Sequence, residues 1–197
     1  FDDQKMPSVV VLSGDDYVVS FLGPDNNVFT RRFDHDGTAV TGALEQRSML
    51  TSAGDQRHGA GAQDELGNSI IVVQSPFAGN SGTEIVGRRF NSGGLPITDE
   101  FMVNTTLEND QSEPAIAGGP DGFVVVWAVN GPSPGLYGRL MEPDGTFASD
   151  VFEIRQTSNT PTCPAVSLTA DGRFIVAWAE SEEIYARSFQ ADTSPAG

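Results

Sequence analysis

The chain has 197 residues, with 11 basic against 27 acidic side chains and a net charge of −16. A surface this acidic is no general binder of DNA, RNA or anionic membrane, all of which need a basic face. Two His and one Cys exclude a His- or Cys-rich metal centre and any internal disulfide, and twelve Phe with only 19% charged residues speak against disorder.

In chain order, the predicted elements are all strands. Runs of Val, Ile, Phe, Tyr and Thr broken by Gly, Asp, Asn and Pro predict strands at 8–12, 17–21, 28–33 and 43–49. The same signals continue at 60–63, 70–74, 85–90 and 99–104, then at 114–118, 123–128, 136–141 and 150–156, and finally at 164–168, 174–179 and 184–189. Asp36-Gly37, Asp121-Gly122, Asp144-Gly145 and Asp171-Gly172 mark tight turns. Helical periodicity of useful length is absent, as is any apolar run of the ~18 residues that a membrane helix needs. The chain starts at Phe1 without a signal peptide, which reads as a processed or trimmed chain. Lys5 is its only lysine, a balance that suits saline surroundings or reflects one lineage's solubility preference.

The elements repeat. Residues 3–21 read DQKMPSVVVLSGDDYVVSF, 55–73 read DQRHGAGAQDELGNSIIVV, 110–127 read DQSEPAIAGGPDGFVVVW and 160–178 read TPTCPAVSLTADGRFIVAW. A second block follows each: VFTRRFDHDG, IVGRRFNSGG, LYGRLMEPDG and IYARSFQADT. Its aligned arginines, Arg31, Arg88, Arg139 and Arg187, lie 57, 51 and 48 residues apart. Four units, at about 1–54, 55–109, 110–159 and 160–197, therefore fill the chain without a linker.

Tandem four-stranded antiparallel units of this length are the pattern of propeller blades, which bury both faces by stacking radially. The expected fold is thus all-β, a single β-propeller domain of four blades. The Gln-x-x-Pro, D-G-x-F-V-V-x-W and Tyr-x-Arg-x-Phe-x-x-x-Gly motifs resemble the blades of secreted or surface-attached bacterial β-propeller repeat proteins. That resemblance covers the whole chain and implies a secreted or cell-surface location rather than a shared activity. The size also matches hemopexin-like propellers, whose repeats this motif does not resemble. Residues after Phe189 hold no apolar strand, so the last blade is expected to lack its fourth strand. A three-stranded blade, a longer propeller and a contribution from a second molecule all fit, and an open edge would favour edge-to-edge self-association.

Residues that recur in every unit are expected to serve the blade. Arg31, Arg88, Arg139 and Arg187 sit among apolar neighbours on one strand face, so pairing between blades is favoured over an anion-binding ring. Trp127 and Trp178 end the second strands and are expected to pack in the core rather than stack on glycans. Asp34 and Asp36 resemble the start of a calcium loop, although no acidic residue completes it.

Loops at one end of the blades are expected to carry any site. They bring Asp25, Asn26, Asp55, His58, Glu84, Asp110, Glu113, Glu180, Glu182 and Glu183 to one acidic face, whose oxygens would suit calcium. His58, Gln74, Cys163 and an insertion at 76–84 break the repeat, with Cys163 read as a small buried filler. No G-x-S-x-G elbow and no sialidase-type Ser-x-Asp-x-Gly-x-x-Trp box is present. The expected role is therefore non-catalytic: an extracellular binding or scaffolding module for a protein or glycan ligand. A lectin-like glycan binder comes second and a glycosidase-type enzyme third.

Overall fold

A computed structural model describes residues 5–12, 14–23, 25–40, 46–47, 49, 54–76 and 82–196. They form four antiparallel sheets without a helix. Blade 1 comprises β1 (Lys5–Val11), β2 (Tyr17–Leu22), β3 (Val28–Phe33) and β4 (Gln46–Arg47). Blade 2 comprises β5 (Arg57–Gln63), β6 (Ser69–Pro76), β7 (Thr83–Phe90) and β8 (Phe101–Met102). Blade 3 comprises β9 (Asp110–Gly119), β10 (Gly122–Asn130), β11 (Gly135–Met141) and β12 (Phe152–Gln156). Among the described residues blade 4 has three strands, β13 (Thr162–Leu168), β14 (Phe174–Glu180) and β15 (Glu183–Phe189).

Each sheet pairs its strands in sequence order, so the four-blade propeller reading holds, including the missing strand of the last blade. The first strands run longer than the apolar signal, because polar residues such as Asp110–Ser112 also pair. Among the described residues, the fourth strands of blades 1 and 2 comprise two residues each. Strand pairing also reaches into the expected insertion at 76–84, through Pro76↔Thr83. Asp3-Gln4 of the first repeat, residues 41–45 and 48, and residues 77–81 of that insertion lie outside the described residues.

The core lies between blades. In the second strands of blades 2 and 3, alternate residues turn to opposite neighbours. Val124, Val126 and Ala128 meet Phe174, Val176 and Trp178 of blade 4, while Phe123, Val125 and Trp127 meet Ile70, Val72 and Ile85 of blade 2. Leu22, Val28 and Met49 of blade 1 close a third cluster on Ile71, Val73 and Val86. Burial of each such side chain stabilises by about 1.5–3 kcal/mol.

Two of the aligned arginines fasten these joints. Arg139 donates to Ser149 O at 3.1 Å and to Val103 O of blade 2 at 2.9 Å, and stacks 3.5 Å over Phe147. Arg187 repeats the contact by donating to Ile154 O of blade 3 at 2.8 Å. Arg88 donates to Thr98 O, and Arg31 lies 5.6 Å from the Phe33 ring. Burial lowers the pKa of Arg139, with Asp150 opposing. The repeated glutamines are further clasps: Gln56 accepts from Val28 N at 2.9 Å across the blade 1–blade 2 joint.

Candidate functional site

The inner strands β1, β5, β9 and β13 pack side by side in that order around the propeller axis. Each carries a β-bulge near its start, between Lys5 and Ser8, Arg57 and Ala60, Ser112 and Ala115, and Thr162 and Ala165. The second residue of each bulge pattern is left-handed: Met6 (φ 52°), His58 (φ 51°), Glu113 (φ 50°) and Cys163 (φ 51°). The bulge is architectural, since every blade has it. The side chains differ, and none is glycine, although glycine would adopt this backbone without strain. Bulges re-aim a side chain out of the sheet's alternation, and strained backbone of this kind clusters at functional sites.

This ring lies at the axial end of the inner strands. Glu113 spans from β9 to β13, its Oε2 accepting from Cys163 N at 2.5 Å. Gln74, whose Nε2 donates to Thr83 Oγ1 at 3.2 Å, stands behind Glu113 and accepts weakly from its N–H. His58 and Glu113 are half-buried, whereas Met6 and Cys163 are exposed. Cys163 is therefore not the buried filler expected, because the bulge takes it out of the packed alternation.

Beside Gln111 on the same end, a cleft of about 440 Å³ opens between blades 2 and 3. Asn104, Glu108, Asn109, Ser133, Tyr137 and Glu153 line it, with Trp127 at its floor. Gln111 accepts from Trp127 Nε1 at 2.9 Å and donates to Glu108 O at 3.1 Å, which fixes the loop carrying Glu108. Burial raises the pKa of Tyr137, and the negative charge of Glu153 adds to it. Glu108, Tyr137 and Glu153 do not break the repeat, so nothing in the pattern of the chain singles them out.

The expected acidic face is smaller than the sequence implied. Asp25, Asn26, Asp55, Asp110, Glu182 and Glu183 are exposed on it. Asn26 donates to Asp55 at 2.9 Å, Asp110 accepts from Thr83 N at 3.0 Å, and Tyr185 donates to Glu183 at 2.9 Å. Glu84 and Glu180 do not belong to the face. Glu84 is fully buried and accepts from Asn104 at 2.5 Å. Glu180 is buried in the blade 3–blade 4 joint, where Arg155, Thr157 and Trp178 all donate to it. The hydrogen bond from Arg155, followed by that from Thr157, holds the Glu180 carboxyl below its ordinary range.

Trp127 and Trp178 are both buried. Asp34 serves its turn, with Oδ1 accepting from Asp36 N at 3.1 Å and Thr38 N at 2.8 Å. Asn91 does the same for Gly93 N and Leu95 N in the equivalent turn of blade 2. Among the described residues no group of three or more His, Cys, Asp or Glu side chains could hold a metal ion. Nor is any helix long and apolar enough to cross a membrane.

No protein-family model matches this chain, and no curated protein matches it by sequence. Solved structures do match the fold. A protein of unknown function from Dyadobacter fermentans aligns over 98% of this chain and 62% of its own, at 15% identity and a TM-score of 0.65. An endo-arabinase from Bacteroides thetaiotaomicron aligns over 93% of this chain and 74% of its own, at 13% identity and a TM-score of 0.61. A thermostable family-43 glycoside hydrolase aligns over 98% and 68%, at 12% identity and a TM-score of 0.58. The chain thus spans about 62% of the length of the first of these.

These matches correct the functional expectation. A non-catalytic scaffold and a lectin-like binder ranked ahead of an enzyme because short catalytic motifs were missing. Among chains of this fold that are glycoside hydrolases, identity to this one falls to 12–13%, so a missing motif carries no weight.

Proposed function

We propose that this propeller is a glycosidase-type enzyme acting on a polysaccharide at the axial end of its inner strands. The observation that carries the reading is the ring of left-handed bulges, where four equivalent positions hold four different side chains and Glu113 is the one carboxylate. Glycoside hydrolysis needs carboxylates beside the scissile bond, one protonating the leaving oxygen and one acting as base or nucleophile. We take Glu113 as one of this pair. Glu108 and Glu153, which line the adjoining cleft, are the candidates for its partner, and Asn104, Asn109 and Ser133 supply donors and acceptors for sugar hydroxyls. Glycoside hydrolases of the same fold support the class of reaction. A secreted or cell-surface location fits a polymer substrate.

The test is release of reducing ends from a panel of arabinan, xylan and mixed plant and bacterial glycans. Release from at least one polymer is expected, with product size fixing the endo or exo mode. No release from any member would contradict the reading.

A further inference from the structure

We propose that the exposed outer faces of blade 1 and blade 4 are the two sides of a gap that takes a further blade of this same repeat. Inner-strand packing runs from β1 through β5 and β9 to β13, and no comparable packing among the described residues joins β13 back to β1. The four blades therefore form an arc.

Positional equivalence identifies what the gap is built for. Val19, Ile71, Val125 and Val176 pair with the four aligned arginines, which fixes the register of the blades against one another. In that register Val28, Ile85, Leu136 and Ile184 are equivalent. The first three are 1%, 0% and 0% exposed beneath the next blade, whereas Ile184 is 77% exposed. Ile70 and Val124 are likewise 0% exposed, while their equivalent Ile175 is 47% exposed. On the opposite flank, Val9 and Val11 of blade 1 are 61% and 65% exposed. A burial pattern that alternates perfectly along β14 leaves one face of that strand packed and the other open.

The occupant is a blade of this repeat because the open face copies one that such a blade already covers. Blade 4 lays Phe174, Val176 and Trp178 on Val124, Val126, Ala128 and Leu136 of blade 3. Its own open face offers Ile175, Ala177, Ala179 and Ile184 at the same positions, a near-equal set of side chains. A second Phe-Val-Trp face would seat there as the first does. Scattered exposed residues such as Leu66, Leu95 and Ile97 need no such account, but apolar residues left open where their equivalents in the other blades are buried do.

A copy of residues 157–196 appended after Gly197 supplies the missing blade. The extended chain should melt at least about 5 °C higher than the parent. Ile184→Glu should be neutral in the parent and should lower the extended chain's Tm back towards the parent's. The parent itself should bind the dye ANS, and Ile175→Glu with Ile184→Glu should remove most of that binding. Three results would overturn the proposal. One is a parent whose ANS binding is absent or untouched by the pair of substitutions. Another is an extended chain with the parent's Tm and a neutral Ile184→Glu. The third is a parent dimer in light scattering that Ile184→Glu dissociates, which would give the face to a second copy. None of these readouts depends on hydrolase activity.

Discussion

Met6, His58, Glu113 and Cys163 each hold a backbone conformation that costs about 1–2 kcal/mol relative to a right-handed one. His58→Gly should therefore raise stability by about 1 kcal/mol, read as a higher urea midpoint with an unchanged slope; a lower midpoint would mean that the imidazole contributes contacts of its own. These four positions were only half legible in the sequence. His58 and Cys163 stood out as departures from the repeat, but left-handed backbone is signalled by glycine and asparagine, and neither stands there. Glu84 and Glu180 were misplaced for a related reason. Periodicity says which way a side chain turns, not whether Asn104 or Arg155 reaches over to bury it. For Glu180 the consequence is a pH dependence. Its folded pKa is lowered, so its contribution is complete above the ordinary glutamate value of ~4.3 and drains away as the pH falls through the lower folded value. Glu180→Gln should flatten the loss of Tm between ~pH 5 and ~pH 3, and an unchanged acid limb would refute this.

At the level of elements, the inner strands approach one another so closely that side-chain size is limiting. A Cβ on Gly118 of β9 would lie 2.2 Å from Gln63 O at the end of β5. Gly118→Ala must push blades 2 and 3 apart, and a loss of about 2–4 kcal/mol in chemical denaturation is expected; a change within ~0.5 kcal/mol would show that the joint gives way easily. The arginine clasps act on the same joints. Arg139→Ala leaves Val103 O and Ser149 O without their donor and uncovers Phe147, which should cost about 2 kcal/mol. Ligand binding lost at unchanged stability would instead make this arginine part of a site. The strands and their order were legible because every blade repeats its turn residues and its alternation. The clasping role of Gln56 was not, because a recurring glutamine does not name its partner across a joint.

On the scale of the whole molecule, the net charge of −16 spreads over a propeller arc whose one axial end carries both the bulge ring and the cleft. An acidic surface repels anionic polymers and leaves neutral glycans free to approach. Architecture was readable because repetition multiplies weak signals, whereas the site was not, because it consists of positions where the repeats differ. The proposed hydrolase reading turns on Glu113 as the carboxylate at the reacting bond. The rate of reducing-end release on the best polymer of the panel, compared between the wild type and Glu113→Gln with Tm recorded for both, decides it. The account predicts a loss of at least ~100-fold in kcat at a Tm within a few degrees of the wild type. Wild-type turnover in Glu113→Gln would contradict it.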